Sequence, residues 1–406
     1  MSIDDEAGEV AFYAPLKPPS HPVPSGDRRM AWALMTALAL GGRKVALASR
    51  LRSFDRAGDH QRQRRIERLG ARMAERLIAR YGSLPPARRP KAWVTYHAYH
   101  KSPDWLGPPV QRALKIPYLL IETSYARKQA GGSWDLGHIA TEAAIGASDV
   151  TLAMTAVDQA GLAPKIQPPG VLRRLPPFLD PSPYRAAFQA RALHRGRLAA
   201  RFGLDPDLPW LLAVGMMRDD VKSQSYALLA DALHRLSVRE ASGERPWQLL
   251  IVGDGVARPE IEELFVPFGS ERVKLAGMLG ETELPACYAA ADVYAWPAVR
   301  EAYGMALLEA QASGLPVVAG SEGGVADVVQ DGVTGVLTTP RDPAAFASAL
   351  ASLLDQPGKR RSMSEAALTF IGNQHSLEHA SRLLDQALID ASAINDLRAG
   401  CMRGAP

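Results

Sequence analysis

Short runs of β-branched, aromatic and aliphatic residues alternate with helix-length segments along most of this chain, and no other feature restricts its fold as strongly. Residues 10–13, 44–48, 92–96, 117–121 and 150–154 are such runs, each of strand length and too short for a stable helix. Between them, segments such as 28–40 and 61–81 have helical character. A proline-rich passage, PKIQPPG at 164–170 and LPPFLDPSPY at 175–184, interrupts the rhythm and reads as a linker. The rhythm then restarts, with strand-like runs at 210–214, 248–252, 273–276, 292–295, 316–319 and 335–337 and helices at 226–236, 305–313 and 343–354 among them. Such alternation predicts parallel sheets covered by helices on both faces. Two series predict two doubly wound α/β domains, residues 1–180 and 181–370, with ligands at the carboxyl ends of the strands. The segment 371–406 is expected to be helical and to pack back on the first domain.

A length of 406 residues suits two domains of that kind. Hydrophobic residues make up 47% and charged residues 22%, which excludes wholesale disorder. Two cysteines, Cys287 and Cys401, cannot build a disulfide framework. No apolar run reaches the ~18 residues of a membrane span. The acidic opening MSIDDEAGEV is unlike a secretory signal. These features predict a soluble, cytoplasmic protein.

The stretch AWPAVREAYGMALLEAQAS at 295–313 holds most of the chemistry. A strand ends at Trp296-Pro297, a loop follows, and Gly304 opens a helix whose free amides attract phosphate. That helix is apolar on nearly every side, which predicts burial, yet Glu309 sits in its second turn. A buried carboxylate needs hydrogen-bond donors, and sugar hydroxyls are natural ones. Glu301 precedes Glu309 by eight residues, but Glu67/Glu75 and Glu263/Glu271 share that spacing in ordinary charged helices. The Gly304 helix start and the apolar surroundings set the third pair apart. A solvated helix face with one satisfied buried glutamate is the plainer alternative.

Around this segment lie IVGDG at 251–255, LAG at 275–277, YAAADVYAWPAVREAYGMALLEAQASGLPVVAGSEGG at 288–324 and DGVTGVLTTPRDP at 331–343. On these residues the chain from 210 to 354 resembles the nucleotide-binding half of glycosyltransferase family 4. Members are retaining enzymes of the GT-B fold, two doubly wound Rossmann-like domains facing each other across a cleft; the N-terminal half matches more loosely. The resemblance implies that Glu309 holds the ribose hydroxyls of a donor nucleotide and that Glu301 lies beside the donor sugar. It places the backbone amides of Tyr303, Gly304 and Met305 against the pyrophosphate and sugar. Leu275, Gly277 and Met278 would border the base, and Gly253 would lie in the same donor site. It also implies no metal and no cofactor beyond a UDP- or GDP-linked nucleotide sugar. In AVGMMRDDVKSQS at 213–225, Met216 and Met217 occupy places where members usually carry Arg after the strand-ending Gly. Arg218 and Lys222 are then the candidates to clamp the diphosphate and stabilise the leaving group, with a solvent-facing Arg218 beside Asp219 and Asp220 as the alternative. Gly323-Gly324 matches a family loop, and Asp327 stands where Glu is more usual.

On the acceptor side, Ser25-Gly26-Asp27 suits a loop and helix cap followed by Arg28-Arg29. Related enzymes carry a glycine pair here beside the donor phosphate; Ser25 replaces one glycine and Gly26 keeps the other. In YHAYHKSPDW at 96–105, His97 and His100 lie near the end of a strand, where imidazole can polarise a hydroxyl or act as a base; a structural role is the alternative. Glu122, Thr123 and Ser124 follow the next strand and are candidates to line the same pocket.

The net charge of +4, from 47 basic and 43 acidic residues, hides a polarised chain. Residues 41–101 hold sixteen Lys or Arg and four Asp or Glu. Within them, residues 61–80 place Ile66, Leu69, Met73 and Leu77 on one helical face and Arg62, Arg65, Arg72, Arg76 and Arg80 largely elsewhere. An ordinary surface helix and a basic face for anionic lipid head groups are both open. No nucleic-acid motif or aromatic interleaving accompanies the charge, so nucleic acid is not expected as a partner. The activity implied by the resemblance is retaining transfer of a hexose from a nucleotide-diphosphate sugar to the hydroxyl of an acceptor lipid or saccharide. That chemistry belongs to glycolipid, lipopolysaccharide or exopolysaccharide synthesis, with the protein peripheral on the inner face of the plasma membrane. A GT-B nucleotide-sugar epimerase and a non-catalytic nucleotide-sugar-binding protein are the rivals.

Overall fold

The computed structural model describes residues 9–22, 25–240 and 246–403. The chain divides into two compact units: residues up to Pro176 together with those from Leu377 onward, and Pro177–Ser376.

The first unit runs β1 (Val10–Tyr13), α1 (Gly26–Leu40), β2 (Val45–Leu47), α2 (His60–Gly82), β3 (Ala92–Tyr96), α3 (Gly107–Leu114), β4 (Tyr118–Ile121), α4 (Asp135–Ala147), β5 (Val150–Ala153), α5 (Ala156–Leu162) and β6 (Val171–Arg174). Its six strands form one sheet in the order β2-β1-β3-β4-β5-β6, parallel throughout. β1, β3, β4 and β5 are buried along their whole length, as expected where helices cover both faces. The boundary between the units, at Pro176 and Pro177, falls in the second proline segment, and between the two segments lies a strand the sequence does not announce, β6. Val171–Arg174 pairs with β5 in the register Val150↔Val171, because the prolines fall on either side of the four ladder residues and leave every needed N–H in place.

Asp59 caps α2, accepting from the amides of Gln61 and Arg62. Its buried stripe is Gln63, Gly70, Ala74, Leu77 and Tyr81, which corrects the apolar face expected from 66, 69, 73 and 77; Leu69 is 39% exposed. The reason is Gly70, where a Cβ would stand 2.5 Å from that of Trp105. The close approach turns the helix about this glycine rather than about the leucines. All seven arginines of α2 are exposed.

The second unit runs α6 (Ser182–Gln189), α7 (Arg191–Phe202), β7 (Trp210–Val214), α8 (Val221–Glu240), β8 (Gln248–Val252), α9 (Arg258–Phe265), β9 (Val273–Leu275), α10 (Leu284–Ala290), β10 (Val293–Trp296), α11 (Met305–Ala312), β11 (Val317–Gly320), β12 (Gly335–Thr338), α12 (Pro343–Asp355) and α13 (Pro357–Gln374). Its parallel sheet has the order β12-β11-β10-β7-β8-β9. The chain reverses direction of growth beside β7, so β7 and β10 are neighbours and the loops after them diverge, the arrangement that makes a ligand crevice in open α/β sheets.

The terminal segment is two helices, not one. α13 ends at Gln374; His375, whose ring lies 2.6 Å from the Pro177 carbonyl oxygen, breaks the run. α14 (Leu377–Arg403) then packs on α1, β4 and β5 of the first unit. Arg398 fastens it, donating to the carbonyls of Ala147 at 3.1 Å and Ser148 at 2.9 Å at the C-terminus of α4, where cations are favoured. No helix among the described residues is long and apolar enough to cross a membrane.

Candidate functional site

In the second unit the carboxyl ends of β7, β8 and β9 meet through glycine. A Cβ on Gly253 would stand 1.9 Å from the Gly215 oxygen, and one on Gly255 would stand 2.2 Å from that of Met217. The Gly253 amide donates to the Gly277 carbonyl at 2.9 Å. Beside them, the loop between β10 and α11 is held from two directions. The Val299 amide donates to Ser225 Oγ of α8 at 3.1 Å. The Gly324 amide donates to the Ala302 carbonyl at 2.7 Å, while the Glu301 amide closes a turn on Ala298. Gly304, at φ +82°, supplies the left-handed residue from which α11 starts.

This loop sets the Glu301 carboxylate against Lys222 Nζ, and the Trp296 indole N–H donates to the same oxygen, Oε2, at 3.2 Å. The Lys222 and Glu301 side chains are 17% and 16% exposed, enough shielding for the pair to be stronger than a surface bridge yet still within reach of a ligand. One helix turn onward Glu309 is buried, and its Oε2 accepts from the Tyr288 hydroxyl at 2.8 Å. Burial, then the charge of Glu309, pushes the Tyr288 pKa far up, so the phenol stays a donor. α10 thus supplies one donor to Glu309, and a carboxylate can accept further hydrogen bonds. Arg218, by contrast, is 55% exposed with its Nε 3.3 Å from Asp220 Oδ2, the solvent-facing arrangement.

In the first unit His97 and Glu122 each follow a strand directly and each has a left-handed backbone, φ +59° and +51°. His97 Nδ1 lies 3.0 Å from Asp27 Oδ1 in the first turn of α1 and 3.8 Å from Glu122 Oε1. Burial by itself lowers the imidazole pKa, but Glu122 and Asp27 outweigh it and lift it to about 9. Burial pushes the Glu122 carboxyl up. His100 goes the other way, down to about 4, through burial and then the charge of Lys101. Two histidines three residues apart therefore differ in charge at neutral pH: His97 is an imidazolium held by carboxylates, and His100 is neutral and can accept a proton. Thr123 Oγ1 is engaged with the Ala98 carbonyl at 2.6 Å, and Ser25 Oγ caps α1 by accepting from the Arg28 amide. Gly26 has no atom within 4 Å of where a Cβ would stand. Among the described residues no group of three or more His, Cys, Asp or Glu is placed to hold a metal ion.

The family model Glycosyl transferases group 1 matches residues 209–356. Those residues are a group 1 glycosyl transferase domain. D-inositol 3-phosphate glycosyltransferase 2 of Catenulispora acidiphila is 34% identical over 209 residues, 48% of this chain and 46% of that protein. The chain spans less than half the length of the first curated relatives it matches. Among solved structures, a glycosyltransferase from Rickettsia africae superposes with a TM-score of 0.73 at 14% identity, covering 95% of this chain and 99% of that one. Anabaena HepE in complex with UDP-glucose gives 0.65 at 16% identity, covering 94% and 99%. At such identities the likeness concerns the fold, and the two six-stranded parallel sheets with flanking helices are those of GT-B proteins, as the motifs implied.

Within the group 1 domain, the structure brings Glu301, Lys222, Gly304, Gly253 and Gly277 to the strand ends, with Glu309 one turn behind Gly304 and Met305. Tyr303 is buried and Leu275 half-buried; Met278 is 67% exposed. Arg218 is exposed beside Asp220. Three partners have no signal in the sequence. Tyr288, Trp296 and Ser225 lie 21, 5 and 74 residues from the groups they hold, and each reads there as ordinary core or a polar helix residue. On the other unit the sequence marks Asp27 only as a cap residue, and its pairing with His97 across 70 residues has no local signal.

Proposed function

We propose that this protein is a retaining, metal-independent family 4 glycosyltransferase that moves a hexose from a UDP-linked donor to an acceptor hydroxyl. The observation that carries the reading is the Glu301 carboxylate held by Lys222 and Trp296 at the opening of α11, with Glu309 seated in the same helix. In this reading Glu309 takes the ribose hydroxyls, the amides of Tyr303, Gly304 and Met305 take the pyrophosphate, and Glu301 faces the sugar. Lys222 shifts its charge toward the diphosphate as the glycosidic bond breaks. It does so without Arg218, whose guanidinium is committed to Asp220. The leaving diphosphate takes the acceptor proton, so no protein nucleophile is called for. His97, as an imidazolium, orients an acceptor or donor oxygen, and His100, Glu122 and Ser124 line the acceptor side. The acceptor is a lipid or lipid-linked saccharide, and the exposed arginines of α2 rest on an anionic membrane surface at the inner face of the plasma membrane. UDP-glucose bound to HepE supports the choice of base and sugar class.

A thermal-shift panel of UDP- and GDP-linked sugars tests the reading, since ligand stabilisation grows with concentration over Kd. A UDP-hexose should stabilise the protein, and Glu309→Ala should weaken that donor roughly tenfold or more while leaving circular dichroism unchanged. Unchanged affinity sinks the ribose assignment. Incubating the selected donor with lipid extracts should then give a glycosylated product; an isomerised donor would mean an epimerase, and binding without turnover a binding protein.

A further inference from the structure

Both protein contacts of the Glu301 carboxylate fall on one oxygen. Lys222 Nζ and the Trp296 indole Nε1 share Oε2, which leaves Oε1 as the oxygen turned to other partners. The two donors are unequal. Lys222 is a flexible ammonium on the first turn of α8 and lies 5.3 Å over the Trp296 ring. Trp296 is fixed. It is 2% exposed at the end of β10, and its ring stands edge-on to Tyr226 at 5.1 Å and 81°. The Tyr226 hydroxyl in turn donates to the Gly215 carbonyl at 2.8 Å. Gly215 leaves the space for the indole: a Cβ there would stand 2.9 Å from Trp296 Cη2. The indole N–H therefore has one direction available, and it points at Glu301.

We infer that Trp296 is a positioning residue for Glu301. Resting on the function proposed above, the ammonium of Lys222 is drawn from Oε2 toward the diphosphate, and the indole N–H then remains as the donor that keeps the carboxylate in place and compensates its charge. Oε1 stays aimed at a hydroxyl of the donor sugar. The device separates two demands that a lone Lys–Glu pair would set against each other. The cation is free to move toward developing charge, and the carboxylate does not move with it.

The test measures UDP release from UDP-glucose together with UDP binding. Trp296→Phe keeps the ring burial and removes the N–H; replacement by the sulfur isostere 3-benzothienylalanine keeps the whole bicyclic shape and removes only the donor. Each should slow UDP release roughly tenfold or more, as expected for a hydrogen bond to a charged group. The Kd for UDP, which has no sugar, should stay within about twofold. In a Glu301→Gln background the same Trp296→Phe change should cost less than about twofold further, because the two residues act as one unit. An equal loss in both backgrounds, or an isostere as fast as tryptophan, overturns the inference and leaves Trp296 as packing. If Trp296→Phe melts at too low a temperature to assay, the isostere decides. Glu301→Gln turning over at the unsubstituted rate would instead remove Glu301 from the sugar, the failure of the underlying reading and of this inference together.

Discussion

The charge of His97 depends on two carboxylates brought from other elements, and that makes it a measurable property of the fold. Its folded pKa of about 9 lies above the ordinary value near 6.5. A raised pKa contributes stability that is fully present below the unfolded value and is lost as pH climbs through the folded one. The unfolding free energy should therefore decline between about pH 6.5 and 9, by at most about 3.5 kcal/mol. His97→Gln should flatten that decline in urea titrations at several pH values; an unchanged slope would show that the Asp27 and Glu122 contacts do not persist in solution. His100, lowered to about 4, acts in the opposite sense, its contribution to stability rising with pH until the unfolded imidazole has lost its proton at about pH 7.5. Tyr288 and Glu309 illustrate the same dependence on distant partners, since the phenol that satisfies the carboxylate comes from a different helix.

At the level of elements, the loop between β10 and α11 depends on Gly323. Its φ is +67°, and a Cβ there would stand 2.0 Å from the Glu301 carbonyl oxygen, so no side chain fits. Gly323→Ala should cost about 1–3 kcal/mol in thermal or urea unfolding and slow donor turnover further by displacing Glu301. Gly196, in the middle of α7 with nothing near its Cβ position, is the contrasting site: Gly196→Ala should stabilise by about 0.5–1 kcal/mol. A loss at both positions would mean that crowding at 323 is not what matters. Eleven of the twelve strands are legible in the sequence because buried parallel strands write themselves as apolar runs between helices. β6 is not, since VLRR is half polar, flanked by prolines and lies at a sheet edge. Of the site, the Gly304 helix start and both glutamates can be read locally and from the family motifs. The donors Trp296, Tyr288 and Ser225 cannot, because a hydrogen bond between elements has no period in the sequence. The α2 stripe departs from expectation for a related reason: the contact of Gly70 with Trp105 belongs to packing, and hydrophobicity alone favours Leu69.

For the molecule as a whole, the sixteen basic and four acidic residues between 41 and 101 belong to the first unit, and the seven exposed arginines of α2 form its most concentrated display. Arg62 approaches Asp55 at 3.8 Å. Arg65, Arg72 and Arg76 lie farther along the same exposed surface, with the charge density that suits anionic lipid. Replacing Arg65, Arg72 and Arg76 together by Glu should abolish co-sedimentation with phosphatidylserine vesicles at low salt, with the melting temperature kept within a few degrees. Persistent sedimentation would remove the membrane from the account.

The return of α14 to the first unit has a consequence for biosynthesis. When a ribosome has made residue 176, every strand of the first sheet has been synthesised, yet the helix that covers α1, β4 and β5 is still two hundred residues away. At elongation rates of ~5–20 residues per second, that is on the order of ten to forty seconds. Throughout that interval the nascent sheet keeps an uncovered apolar flank, while the 177–376 unit can complete itself with its own residues. The unit made second is thus free to finish first, and the sheet of the first unit is the part of the chain most in need of a chaperone meanwhile.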